Sequence, residues 1–429
     1  MRPLAITDAR LLDAASGYDG PGAIVVRDGL IADVVRGHAP TLSPDFDTIA
    51  ASGALLIPGL IDVRVKTGEP GAEPKETLKS ASRAAAAGGV TTIVLQPDTD
   101  PAADSPAAID FVLRRGRDLN SVNILPAGAL TRGCAGERMA EIGLMREAGA
   151  AYFSDADHLI RDTRLLRRLM TYAAAFGAAV AHRPGDPWLT AGAVATEGEF
   201  ASRLGLPSAP AEAERIGLQR DLALAELTGA RLLVDQITTA GALDALRSGR
   251  EHGVRATATA SINHLTFNEL DVGDYRTFYR LDPPLRAEDH RQALIDALGD
   301  GTVEIVTSAH TPAPAEDKRL PFAEAAPGAV GLETLLPALL SLHHDGRVPL
   351  ATLIRAVTLA PADLLGLPAG RLAPGAPADL VLCDLGAPWR VDADQLLSKS
   401  KNSPFDGRLL QGRVLQTLVG GRTVYRREG

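Results

Sequence analysis

The chain reads as an α/β protein, a (β/α)8 TIM barrel joined to a small β-rich accessory domain that both chain ends build. Three observations predict this. The middle of the chain alternates short apolar runs with helical segments. Both ends carry β-type runs and glycine turns with no helix between them. The length of 429 residues suits one barrel of roughly 250–350 residues plus a small second unit.

The elements follow in order. Residues 3–6, 23–26 and 30–34 are β-type runs, the last after the turn Asp28-Gly29. Apolar strand candidates then cover 55–63, 91–95, 122–126, 150–153, 178–181, 231–234, 255–259 and 304–307. Helical segments such as 74–87, 137–148, 161–176, 211–228 and 289–298 separate them. The alanine run 81–87 is simply a good helix former. The C-terminal end returns to β-type runs at 379–383, 414–419 and 423–425, with Gly420-Gly421 as a turn. The expected division is 1–54 with 369–429 for the accessory domain and 55–368 for the barrel. An open doubly wound sheet is the rival. The regular alternation and the lack of a G-x-G-x-x-G turn count against it.

Composition narrows the function classes. A net charge of -9 argues against a general nucleic-acid or membrane surface, which would carry a basic excess. Cys134 and Cys383 lie far apart and give neither a disulfide framework nor a C-x-x-C metal pair. The start, MRPLAITDARLLD, has no charged-then-apolar leader pattern, and no apolar run reaches about 18 residues. A cytoplasmic protein is expected.

In a barrel, reactive groups sit at the C-terminal ends of strands and in the loops that follow. Those positions hold Arg64, Lys66, Asp98, Asp155, His182, Gln236 and His310. Arg64 and Lys66 share one strand face, and as cations neither can ligate a metal ion. Asp98, Asp155, His182 and His310 could each be a ligand. Each by itself reads equally well as a barrel-mouth ion pair or hydrogen bond.

Several segments carry a family likeness. Pro58-Gly59-Leu60-Ile61-Asp62, Pro283-Pro284-Leu285-Arg286, Gly331-Leu332-Glu333-Thr334 and Ser398-Lys399-Ser400-Lys401-Asn402-Ser403-Pro404-Phe405 occur in the order that dihydroorotases of the amidohydrolase superfamily show. The chain resembles that family over essentially its whole length. The resemblance implies a binuclear-zinc barrel that interconverts dihydroorotate and carbamoyl-aspartate.

Position by position, the resemblance breaks at the chemistry. Where the family has H-x-H-L-R-E-P-G, this chain has Arg64-Val65-Lys66-Thr67-Gly68-Glu69-Pro70-Gly71. Both histidines are gone, and Gly68 replaces the arginine that the family uses for the substrate carboxylate. The asparagine of M-P-N-T becomes Asp98. The bridging carboxylate of F-[ST]-D-D-G persists as Asp155, and the histidine of A-H-C-E as His182. Gln236 replaces the histidine of H-V-S-T. In the D-H-A-P-H segment, Ala309 replaces the aspartate that serves as ligand and base.

Two metal ions need about five or six protein donors, and a ring amide also needs a base for its attacking water. Zinc is therefore not expected, and Arg64 and Lys66 are expected to pair with Asp155, Asp98 or neighbouring carboxylates. The expected function is a catalytically inactive dihydroorotase-like protein. It would form a homo- or hetero-oligomer as a structural or regulatory partner of the aspartate carbamoyltransferase catalytic chain in pyrimidine synthesis. The alternatives are an active cyclic-amide hydrolase with altered or mononuclear metal chemistry, and a small-anion sensor. The Pro- and Ala-rich stretch 311–329 is expected to replace a mobile active-site loop.

Overall fold

The computed structural model describes residues 2–37 and 43–428. Its barrel strands are Leu60–Val65, Val90–Leu95, Asn123–Pro126, Phe153–Ser154, Ala179–His182, Arg231–Val234, Ala256–Ser261 and Ile305–Thr307. They pair in parallel from Leu60↔Val90 round to Ser261↔Thr307, with Gly128–Ala129, just after Asn123–Pro126, as the partner of Phe153–Ser154. A parallel bridge between Val65 and His310 closes the ring. Every residue of Leu60–Val65 and Val90–Leu95 is buried, as strands covered on both faces require.

The helices start and stop where local chemistry directs. Thr77 caps the helix Leu78–Ala87 by accepting from the Ser80 amide, and Ser80 returns the bond to the Thr77 amide. Ser105 caps Pro106–Leu119, where the proline occupies a first-turn position that needs no donor. Gly229, at φ 68°, ends the helix Glu212–Thr228 in the left-handed conformation. Fully burying a leucine such as Leu78 or Leu218 stabilises by about 1.5–3 kcal/mol.

The run expected as one strand over 55–63 is in fact two. Leu55–Pro58 joins the accessory sheet, whose order runs from Arg422–Arg426 through Leu409–Val419, Leu380–Arg390, Leu55–Pro58, Leu4–Asp13 and Tyr18–Arg27 to Leu30–Arg36. Gly59 makes the break. A side chain there would meet the Thr91 hydroxyl at 2.1 Å, so only glycine lets the chain pass from one sheet to the other. Helices also begin later than the sequence suggests: the segments expected over 74–87 and 137–148 form Leu78–Ala87 and Ile142–Glu147. The strand expected over 150–153 is only Phe153–Ser154.

The segment 398–405 fastens the C-terminal end to the barrel. Phe405 is fully buried, with its ring centre 4.8 Å from that of Phe267. Asn402 accepts from the Ala313 amide and donates to the carbonyls of Thr311 and Gly328 at 3.0 Å. It thereby clamps both ends of the stretch 311–329. Lys318, inside that stretch, donates to the carbonyls of Ala326, Thr277 and Arg280. The stretch is therefore bolted to the barrel by side chains on two sides. Among the described residues no helix is long and apolar enough to cross a membrane.

Candidate active site at the barrel mouth

Alternation along the first barrel strand puts Asp62, Arg64 and Lys66 on one face. That face looks into the barrel, because Arg64 reaches loops after the fourth and sixth strands. Its Nε donates to Asp235 at 2.8 Å and its Nη2 to Asp157 at 2.5 Å. With its amide oxygen turned toward Arg64, Gln236 accepts from the same guanidinium at 3.0 Å. Lys66 donates to Asp157 at 2.5 Å and to Asp98. Two cations and three carboxylates thus interlock across the mouth.

The charge states follow from this arrangement. Burial by itself would push the Asp157 carboxyl up, but Lys66 and Arg64 overcome it and hold the group below the usual carboxylate range. Burial disfavours the Arg64 charge, yet Asp235 and Asp157 more than restore it. Lys66 behaves alike, with Asp157 and Asp98 outweighing its burial. Asp157 is consequently a poor proton acceptor, and Lys66 is a fixed positive charge.

Of the acids expected beside the two cations, Asp98 and the neighbouring Asp157 and Asp235 take the pairing, and Asp155 does not. Its carboxylate accepts from the amides of Leu130 and Thr131 at 2.9 Å and from the Thr131 hydroxyl at 2.5 Å. Those three donors use the lone pairs that a bridging ligand would need. His182 donates or accepts through Nδ1 with Asp221 at 2.6 Å, and Arg220 holds the other Asp221 oxygen. In the tautomer that donates to Asp221, the His182 Nε2 lone pair has, among the described residues, only the Ile160 amide, at a long 3.4 Å. His310 does not join this group. Its Nδ1 accepts from the Gly331 amide, and its Nε2 lies 3.6 Å from Glu76, which in turn accepts from Ser398 and Lys399.

Ala309 has no polar group to offer, and its backbone sits at φ 49°. Gln236 at φ 62° and Ala156 at φ 54° share this rare conformation, so the ends of the fourth, sixth and eighth strands all carry backbone strain at the mouth. Gly68 is closed to any side chain. A Cβ there would meet the Ala72 carbonyl oxygen at 1.7 Å, because the Ala72 amide donates to the Gly68 carbonyl and the Gly68 amide to Glu76. The loop itself has folded into the space an arginine would need.

These residues do not fit a pair of zinc ions. Among the described residues no three His, Cys, Asp or Glu side chains gather so as to hold a metal ion. Charged amine and guanidinium groups lie where the family's first-strand histidines would be.

The chain was compared with known proteins. The Dihydro-orotase-like family matches residues 53–241, and the Amidohydrolase family matches 196–424. A dihydroorotase of Anaeromyxobacter dehalogenans is 40% identical over 425 residues, 98% of each chain. The chain belongs to the dihydroorotase family. A dihydroorotase of Pelobacter propionicus is 37% identical, covering 99% of this chain and all of that one. The L-hydantoinase of Arthrobacter aurescens superposes with a TM-score of 0.88 at 25% identity, over 100% of this chain and 97% of its own. A dihydropyrimidinase from Brevibacillus agri shares the fold, with a TM-score of 0.86 at 21% identity.

For this dihydroorotase-family chain one expectation is corrected. Relatives that match it end to end at 36–40% identity carry an enzyme's name. That overturns the reading of a catalytically inactive partner of aspartate carbamoyltransferase, which rested on the missing family residues and, for the partner, on analogy. Three contributors to the mouth were missed in the sequence: Asp157, Asp235 and Asp221. Asp157 and Asp235 were visible as acids beside Asp155 and Gln236. Asp221 gave no sign, because it reaches His182 from a helix 39 residues further on.

Proposed function

We propose that this chain is a cyclic-amide hydrolase of the dihydroorotase type whose barrel mouth uses fixed protein charges where its family uses zinc. The end-to-end likeness to proteins named dihydroorotase carries the reading. The altered mouth sets the chemistry. Lys66, with a side chain 13% exposed, presents its ammonium at the mouth and is held there by Asp98 and Asp157. A preorganised cation of this kind stabilises the negative charge that builds on a ring carbonyl under attack. Arg64 sits deeper and pins Asp157 and Asp235 in place.

His182 is the proton acceptor in this scheme. Asp221 orients the ring and stabilises the imidazolium that forms when Nε2 takes a proton from water. The proton then passes to the leaving ring nitrogen, and the product is the ring-opened ureido acid. No step runs through a metal ion.

The test is turnover of dihydroorotate by protein stripped with a chelator and desalted, with the ring-opened acid measured by chromatography. Turnover should survive the treatment. Lys66→Met and His182→Asn should each lower kcat by roughly 10²–10⁴. Turnover no faster than the uncatalysed reaction would sink the hydrolase reading. Turnover abolished by the chelator and restored by zinc would sink the metal-free chemistry.

A further inference from the structure

Where the accessory sheet meets the helices Leu78–Ala87 and Leu335–His344, the chain leaves a cavity of about 300 Å³. None of Lys66, Asp98, Asp157 or His182 lines it. It lies beside an interruption in the accessory sheet, where the pairing of Leu380–Arg390 with Leu409–Val419 breaks between Asp384 and Pro388, opposite Gly412. Gly412 has a φ of 109°, and a Cβ there would meet Leu340 at 2.5 Å, so the bend requires glycine. A bulge of this kind turns side chains out of the regular alternation, and here Trp389 and Arg413 beside it join the cavity wall.

Three guanidinium groups line the cavity, on Arg390, Arg413 and Arg427. Among the described residues, none of the three has a carboxylate at ion-pair distance or a side-chain hydrogen bond. The Arg413 guanidinium carbon stands 4.8 Å from the centre of the Trp389 ring, and the indole nitrogen donates to the Gly412 carbonyl at 3.2 Å. The ring thus holds Arg413 by its face and leaves the donor edge free. Two acids share the lining, Asp392 and Glu333. Burial pushes the Glu333 carboxyl up to about 7, so at neutral pH it cancels only part of one charge. The cavity is therefore net positive in a chain whose net charge is -9. Like charges gathered on one concave wall attract an anion.

The wall narrows what the anion is. Three donor forks suit the three terminal oxygens of a phosphate better than a single carboxylate. Ala87, Pro337, Leu396 and Val414 make an apolar part of the lining that suits a flat ring. Glu333 accepts through Oε1 from the amides of Leu397 and Ser398, and its Oε2 has no donor among the described residues. A hydroxyl group would complete it. We propose that this cavity binds a nucleoside monophosphate, with the phosphate on Arg390, Arg413 and Arg427, a sugar hydroxyl on Glu333 and the base against the apolar wall.

Calorimetric titration of the full-length protein with AMP and CMP, one purine and one pyrimidine, tests this. Inorganic phosphate and the two nucleosides serve as the separate halves. At least one nucleotide should bind at least about tenfold more tightly than either of its halves, and the affinity should fall as salt rises. Arg427→Gln, and Arg390→Gln at an exposed position, should each weaken binding by roughly tenfold without lowering the melting temperature. Lys66→Met, which alters only the barrel mouth, should leave nucleotide binding unchanged. No binding of either nucleotide, binding no tighter than that of inorganic phosphate, or binding that survives both arginine substitutions would overturn the site. Loss of nucleotide binding in Lys66→Met would also overturn it, because the ligand would then sit in the mouth.

Discussion

Arg64→Met is the sharpest test of the idea that protein charges hold the mouth together. The arginine side chain is 2% exposed, and Asp235, which it binds at 2.8 Å, is 5% exposed. Methionine fills much of the same space but removes the charge and every donor. Among the described residues, Asp235 would then keep only the Thr259 hydroxyl, at a marginal 3.5 Å from its other oxygen. Asp157 would retain Lys66, so the damage centres on Asp235. Breaking one side of a buried pair in this way costs about 3–5 kcal/mol. Lys66→Met should cost less, about 1–3 kcal/mol, because water reaches Lys66, Asp98 and Asp157. Urea unfolding at pH 7 measures both variants against the wild type. The double variant Arg64→Met with Asp235→Asn should regain most of the loss, since the orphaned charge is then gone. The reasoning fails if Arg64→Met unfolds within about 0.5 kcal/mol of wild type, or if the double variant is no more stable than the single.

Two further outcomes follow from the same region. Gly68→Arg, which would recreate the family's arginine in sequence, should destabilise by about 1–3 kcal/mol or more and leave dihydroorotate affinity no better, because its Cβ collides with backbone at Ala72; thermal melting and ligand titration would check it, and a tighter-binding, equally stable variant would contradict the closed loop. Burial pushes the Asp62 carboxyl up to about 6 from an ordinary 3.8. The folded state therefore holds a proton that the unfolded chain has lost between about pH 4 and 6, and stability should fall as pH rises through that window, by about 3 kcal/mol in all. Asp62→Asn should remove this slope, and parallel stability-versus-pH curves for the two proteins would refute it.

The alternation of apolar runs with helical stretches was enough to read the barrel, because strand and helix periodicities are local properties of sequence. It also showed Arg64 and Lys66 on one face, since that depends only on strand period, while the missing acid at Ala309 was visible through the family resemblance alone. The break at Gly59 was not legible. Apart from Asp62, residues 55–63 are apolar or small, and which sheet receives each half depends on the close approach of Thr91 from another strand. The same holds within the site. Asp155 has the right residue type for a ligand or ion pair, yet Leu130 and Thr131 fold over it and use its oxygens first. His310 likewise turns away to Gly331 and Glu76.

By itself the sequence determined the residue types at each strand end, and so the presence of two cations where histidines would bind metal. Only the tertiary structure decided which acids meet those cations and that Asp221 orients His182. The physical reason is that electrostatic partnership depends on distance through space. Asp157 and Asp235 lie 93 and 171 residues from Arg64 along the chain, and closure of the barrel is what brings all three within hydrogen-bond reach.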